Sequence, residues 1–123
     1  DVLKEADFVS LHCPGGKETY HLLNKERISM MKSGAFLVNS ARGDVVDPNA
    51  LIEALKNGTI AGAGLDVYEG EPSVQDEFLD MENVVLLPHL GSATKETRIA
   101  MGMRAIDNVQ AFFEGKEPQD KVV

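Results

Sequence analysis

The stretch Ile60–Ser73, IAGAGLDVYEGEPS, decides how the chain is read. Gly62 and Gly64 have the spacing of a G-x-G pair from a phosphate-binding loop, yet the third glycine is missing and Asp66, Glu69 and Glu71 follow at once. A phosphate loop works by opening a helix whose free N–H groups receive the anion. Here the glycines fall inside an apolar run, so the segment reads as a buried strand that delivers carboxylates at its end. Gly62 and Gly64 are expected to let neighbouring structure pack closely.

Three other stretches have the same form: DFVSLHCP (7–14), GAFLVNSARG (34–43) and ENVVLLPHLG (82–91). Each is a short apolar run ending in polar chemistry, the pattern of parallel strands buried on both faces. Helical patterns lie between them. Asn24 can cap KERISMMKSG, with Ile28 and Met31 on one face and Gly34 as the stop. In DPNALIEALKNG, Asp47 stands at the N-cap, Pro48 at the first helical position and Gly58 past the last turn. A final helix is expected from about Ser92 or Thr94 to Glu114, long enough to be a spine between lobes. Strands alternating with helices predict an α/β, doubly wound parallel sheet, with helices on both faces.

A chain of 123 residues with 43% apolar content can build one core. Its net charge of −8, without any Lys/Arg cluster, argues against nucleic acid and anionic membranes as partners. A lone cysteine, Cys13, excludes an internal disulfide and fits a reducing compartment, with the cytoplasm as the default. No apolar run reaches the ~20 residues of a membrane helix. Because DVLKEADFVSL reads as the tail of a helix before a strand, the chain is expected to be a piece of a longer protein, whose targeting segment stays open. Residues 1–115 are expected to be the C-terminal portion of a dinucleotide-binding domain, and 116–123 a tail leading to another lobe.

Ligands of open parallel sheets bind beyond the carboxyl ends of the strands. Those ends supply His12, Cys13 and Pro14; Ser40, Ala41, Arg42 and Gly43; Asp66 to Glu71; and His89, Gly91 and Ser92. Each alone has an ordinary reading: a surface arginine, a structural histidine, solvated acids, a small buried thiol. Their convergence suggests a reaction. Histidine exchanges a proton near neutrality, a carboxylate on its other ring nitrogen favours the imidazolium, and arginine grips a carboxylate at two points. That set suits reduction of a 2-oxo acid, with a cofactor supplying the hydride because no side chain can. A cysteine hydrolase using Cys13 and His89 lacks the elbow that exposes a nucleophile. A metal site of His12, Cys13, His21 and His89 is disfavoured, since adjacent strand residues point to opposite faces, and no metal is expected.

NSARGDVVD (39–47), GAGLDVYEGEP (62–72) and PHLGSATKETR (88–98) resemble three consecutive signatures of the D-isomer-specific 2-hydroxyacid dehydrogenases, and the resemblance covers nearly the whole chain. PHLGSAT followed by ETR is most similar to the glyoxylate and hydroxypyruvate reductases; phosphoglycerate dehydrogenases more often show Gly-Ser-Thr there. The resemblance implies a Rossmann-like partial domain, NAD or NADP as cofactor, a small 2-oxo or 2-hydroxy acid as substrate and a homodimer formed through the nucleotide-binding domain. It implies that Arg42 holds the substrate, His89 donates the proton and Glu71, not Glu69, pairs with His89. Cys13, Pro14, Thr19, Ser40, Ala41, Arg42, Asp66, His89, Gly91 and Ser92 match cofactor-lining positions. The family's glycine loop, its NAD/NADP-selecting residue and its substrate lobe have no match in these residues, so the isolated chain is expected to be inactive. The alternatives are a D-3-phosphoglycerate dehydrogenase or another D-2-hydroxyacid dehydrogenase, and a non-catalytic nucleotide-binding module.

Overall fold

In a computed structural model, which describes residues 2–122, the order is α1 (Val2–Glu5), β1 (Phe8–Leu11), α2 (Lys25–Ile28), β2 (Phe36–Asn39), a 3-10 turn (Gly43–Val45), α3 (Pro48–Lys56), β3 (Gly62–Leu65), α4 (Asp76–Leu79), β4 (Val84–Leu86) and α5 (Lys95–Phe113). Asp1 and Val123, the outer ends of the two expected segments, lie outside the described residues. The four expected strands form one parallel sheet in the order β1-β2-β3-β4.

The expected α/β, doubly wound class holds, as a partial domain; the strand order corrects only the expectation of helices on both faces of these four strands. Right-handed crossovers between strands that advance steadily in one direction all lie on the same face. Covering both faces requires a reversal of strand order, which these four strands do not make. Burial therefore alternates: Val9, Leu11, Leu37, Ala63 and Leu65 enter the core, while Phe8, Phe36 and Val85 stay exposed on the other face. Phe8 and Phe36 are register partners whose rings stack at 5.4 Å.

The core joins the inner face to Ile28, Met31, Val45, Leu51, Leu55, Ile60 and Phe78. A fully buried aliphatic side chain of this kind contributes about 1.5–3 kcal/mol. Asp47 caps α3 as expected, its Oδ1 accepting from the amides of Asn49 (3.0 Å) and Ala50 (3.1 Å), with Pro48 in the first turn. Gly58 takes φ 67° beyond its end. Asn24 caps α2 by accepting from the Arg27 amide, but the α-helix stops at Ile28 and three-residue turns continue to Met31. Helix α4, which anchors Phe78, lies in the long connection between β3 and β4. Gly62 meets the close-packing expectation, since a Cβ there would stand 2.7 Å from the Asn83 carbonyl oxygen. Gly64 does not; a Cβ there would meet nothing within 4 Å.

The chain divides into two compact units, Asp1–Leu90 and Gly91–Val123. The second consists of α5, capped by Thr94 through the Thr97 amide, and a tail whose Asp120 accepts two hydrogen bonds from Arg104. That arginine pulls the Asp120 carboxyl down to about 2. Ile99, Met103, Ile106, Val109 and Phe113 of α5 are all exposed. Exposed apolar surface of this extent drives association. The 123-residue chain alone should self-associate in light scattering, and Phe8→Lys should reduce the scattering mass; a monodisperse wild-type monomer would oppose this.

Candidate active site

The turn after β2 is built by one buried side chain. Asn39 is 1% exposed, its Nδ2 donates to the Arg42 carbonyl (2.9 Å) and its Oδ1 accepts from the Ala41 amide (3.1 Å). Both ends of the amide are satisfied, so burial costs little and the turn Ser40–Arg42 is fixed. Next to it, Gly43 presses against another backbone segment. A Cβ at Gly43 would lie 1.9 Å from the Tyr68 carbonyl carbon and 2.3 Å from the Glu69 nitrogen. Only glycine permits that approach.

The segment after β3 is pinned side chain by side chain. The Tyr68 hydroxyl lies 2.8 Å from the Leu87 carbonyl oxygen and 3.0 Å from that of Leu65, bridging the ends of β4 and β3. Glu71 uses both carboxylate oxygens: Oε1 accepts from the Tyr68 amide (2.9 Å) and Oε2 from His89 Nδ1 (2.8 Å). The bond from His89, then the Tyr68 amide, hold the Glu71 carboxyl below its ordinary 4.5, and the nearby Arg42 charge acts in the same direction. Buried Asp66 accepts from the Leu90 amide at 2.7 Å, fixing the chain just beyond His89. With its Nδ1 donating to Glu71, His89 has Nε2 to exchange a proton with a ligand.

Arg42, Glu71 and His89 line one cleft of about 930 Å³, together with Cys13, Pro14, Ser40 and Ala41. His12, Gly15, Gly43, Asp44, Tyr68, Glu69 and Gly70 complete it. Thr19 stands behind the wall, its hydroxyl donating to the Pro14 carbonyl (2.6 Å). Asp66 is outside the lining, and Gly91 and Ser92 belong to the second unit. Behind the Glu71–His89 pair is a smaller cavity of about 310 Å³, lined by Val74, Leu79, Leu86, Leu87 and the prolines 72 and 88. Among the described residues no three His, Cys, Asp or Glu side chains gather as a metal site. Gly43 and Tyr68 fall within the strand ends named from sequence but without a role, and Asn39 and Asp44 were not singled out; of these only Asn39, a polar residue closing an apolar strand, carries a local signal.

The profile of the family described as "D-isomer specific 2-hydroxyacid dehydrogenase, NAD binding domain" matches residues 1–91. The chain belongs to this family. It is 52% identical over 121 residues to a glyoxylate reductase of Thermococcus litoralis, covering 98% of this chain and 37% of that protein. A crystal structure of a Thermus thermophilus protein superposes with a TM-score of 0.93 at 50% identity, over 99% of this chain and 39% of the other. The NADPH-dependent glyoxylate/hydroxypyruvate reductase of Sinorhizobium meliloti, crystallised with NADP and malonate, gives 0.88 at 43% identity over 91% and 35%. The chain thus spans well under half the length of the dehydrogenase relatives it matches.

Two predictions follow from the geometry. Gly43→Ala must separate two backbones and should cost about 3 kcal/mol by overpacking, read from urea unfolding. For Glu71 the lowered folded pKa means a stability contribution that is full above pH 4.5 and disappears as pH falls through the lowered value. Glu71→Gln should therefore flatten the acid limb of stability below about pH 4.5, whereas an unchanged limb would deny the carboxylate these bonds.

Proposed function

We propose that the full-length protein carrying this chain reduces a small 2-oxo acid of the glyoxylate or hydroxypyruvate type to the D-2-hydroxy acid, using NAD(P). The observation that carries this reading is the His89–Glu71 pair opening, with Arg42, on a single cleft. The names of the reductases it resembles support the same substrate class.

The cleft chemistry fits the nicotinamide end of the cofactor. Cys13, Pro14 and Ala41 offer apolar surface to a flat ring and Ser40 a hydroxyl, whereas no glycine-loop helix start lines the cleft to hold phosphates. When bound, the nicotinamide cofactor would supply the hydride, a hydrogen with its two electrons, that forms the new C–H bond at the substrate carbonyl carbon. Arg42 binds the substrate carboxylate through its planar fork and polarises the carbonyl. His89 gives the Nε2 proton to the carbonyl oxygen, and Glu71 at Nδ1 fixes the tautomer and favours the imidazolium that precedes the transfer. Thr19, Asp66, Gly91 and Ser92 are assigned to the cofactor side on the family resemblance alone. The same resemblance supports residues 1–115 as the C-terminal portion of a dinucleotide-binding domain, 116–123 as a path to a second lobe, and a homodimer, while the lone Cys13 supports a cytoplasmic location.

Steady-state kinetics of the full-length protein with glyoxylate and hydroxypyruvate tests the roles. His89→Gln should lower kcat by about 10²–10⁴, and Arg42→Ala should raise KM roughly 10–100-fold. Glu71→Gln should move the alkaline limb of the kcat profile down by about one pH unit, because less imidazolium survives at a given pH. An unmoved limb would refute the pairing.

A further inference from the structure

Among the described residues only two non-glycine residues have a left-handed backbone, His21 (φ 47°) and His89 (φ 54°). Such backbone is uncommon and clusters where geometry is imposed for a purpose. Both histidines reach a glutamate of the same four-residue turn, Tyr68–Glu71. His89 has a role in the proposed reaction, and His21 has none so far.

His21 Nε2 lies 3.1 and 3.2 Å from the two carboxylate oxygens of Glu69, and its Nδ1 is 3.9 Å from Asp47 Oδ2. Its ring stacks on Tyr20 at 3.9 Å, and its amide donates to the Asp44 carbonyl at 2.8 Å. Asp47 is the cap of α3, so the ring spans from a helix start to the turn. Within the turn, Glu69 and Glu71 are separated only by Gly70, at φ 85°. Glycine gives the least local guidance to the chain. The direction of the Glu71 carboxylate therefore depends on what holds the turn from outside; on the Glu69 side the backbone rests against Gly43 and the carboxylate is held by His21, with the neighbouring Tyr20 hydroxyl also bonding it.

We propose that His21 is a positioning residue: by holding Glu69 it fixes the turn that aims the Glu71 carboxylate at His89. The inference rests on the reading of His89 and Glu71 as the proton-transfer pair. The groups facing His21 are Glu69, Asp47, Asp44 and Tyr20; those facing His89 are Glu71 and, through it, Arg42. A simple tether would affect stability alone. A positioning residue also changes how well His89 keeps its proton.

The test uses the full-length protein with His21→Ala, His21→Gln, Glu69→Gln and Glu71→Gln. His21→Ala should lower kcat about tenfold with KM within about twofold, and shift the alkaline limb in the direction of the Glu71→Gln shift. His21→Gln, which keeps an N–H donor for Glu69, should recover most of the loss. In a Glu71→Gln background, His21→Ala should add nothing, the mark of two residues acting through one contact. Multiplying effects, or an unmoved limb with lowered stability, would overturn the proposal. Should His21→Ala not fold, Glu69→Gln carries the same comparison. NMR titration of the His89 ring separates this inference from the reaction itself. If wild type reduces no 2-oxo acid, the function fails, while a lower His89 midpoint in His21→Ala still supports the positioning and an unchanged one overturns it.

Discussion

Two backbones meet where a methyl group would not fit. Gly43, just after the turn that presents Arg42, lies against Tyr68 and Glu69, just before Glu71. This contact sets the spacing between the ends of β2 and β3, and so between the cationic and the acid–base parts of the cleft. Everything else in the site refines a distance that this approach has already fixed. Asn39 shapes the turn on one side, and the Tyr68 hydroxyl ties the other side to β4. The arrangement is rigid because its polar groups are paired within the protein and do not need water.

The three acids that made Ile60–Ser73 an improbable phosphate loop have three separate duties. Asp66 holds the Leu90 amide, Glu69 meets His21, and Glu71 joins the Tyr68 amide to His89. Left unpaired, three carboxylates within six residues would repel one another across a partly desolvated loop. Given cationic or N–H partners, the same charges become locks. Their placement also matches the proposed chemistry: Glu71 offers the His89 ring a carboxylate partner, and positive charge at Arg42 faces an anionic substrate.

What could be read from the sequence was local. Asp47, Pro48 and Gly58 announce α3 because a cap, a preset φ and a left-handed stop each act within a few residues. Strand ends were visible because apolar runs stop abruptly at His12, Ser40, Asp66 and Pro88. The face on which helices lie was not visible, since it follows from strand order and crossover hand, neither of which a single segment encodes. Nor could Gly43 be separated from an ordinary turn glycine, because its neighbour is 25 residues further along the chain. The pairing of Glu69 with His21 crosses 48 positions and has no periodic signature. Convergence of the site was legible through the rule for parallel sheets, and its fastening was not.

The one-sided sheet and the contents of the cleft are consequences of the same topology. A sheet that never reverses its strand order has no switch point of its own, and the crevice of a doubly wound fold forms where the order reverses, beside β1. The exposed pair Phe8–Phe36 and the residues His12–Pro14 both belong to the β1 side. An apolar face of this kind is a surface that another structural element would bury. The chain spans 35–39% of the length of the relatives named above. In the proposed reaction, proton transfer and carboxylate binding are gathered at the ends of β2, β3 and β4, which leaves the side of the cleft next to β1 for the cofactor.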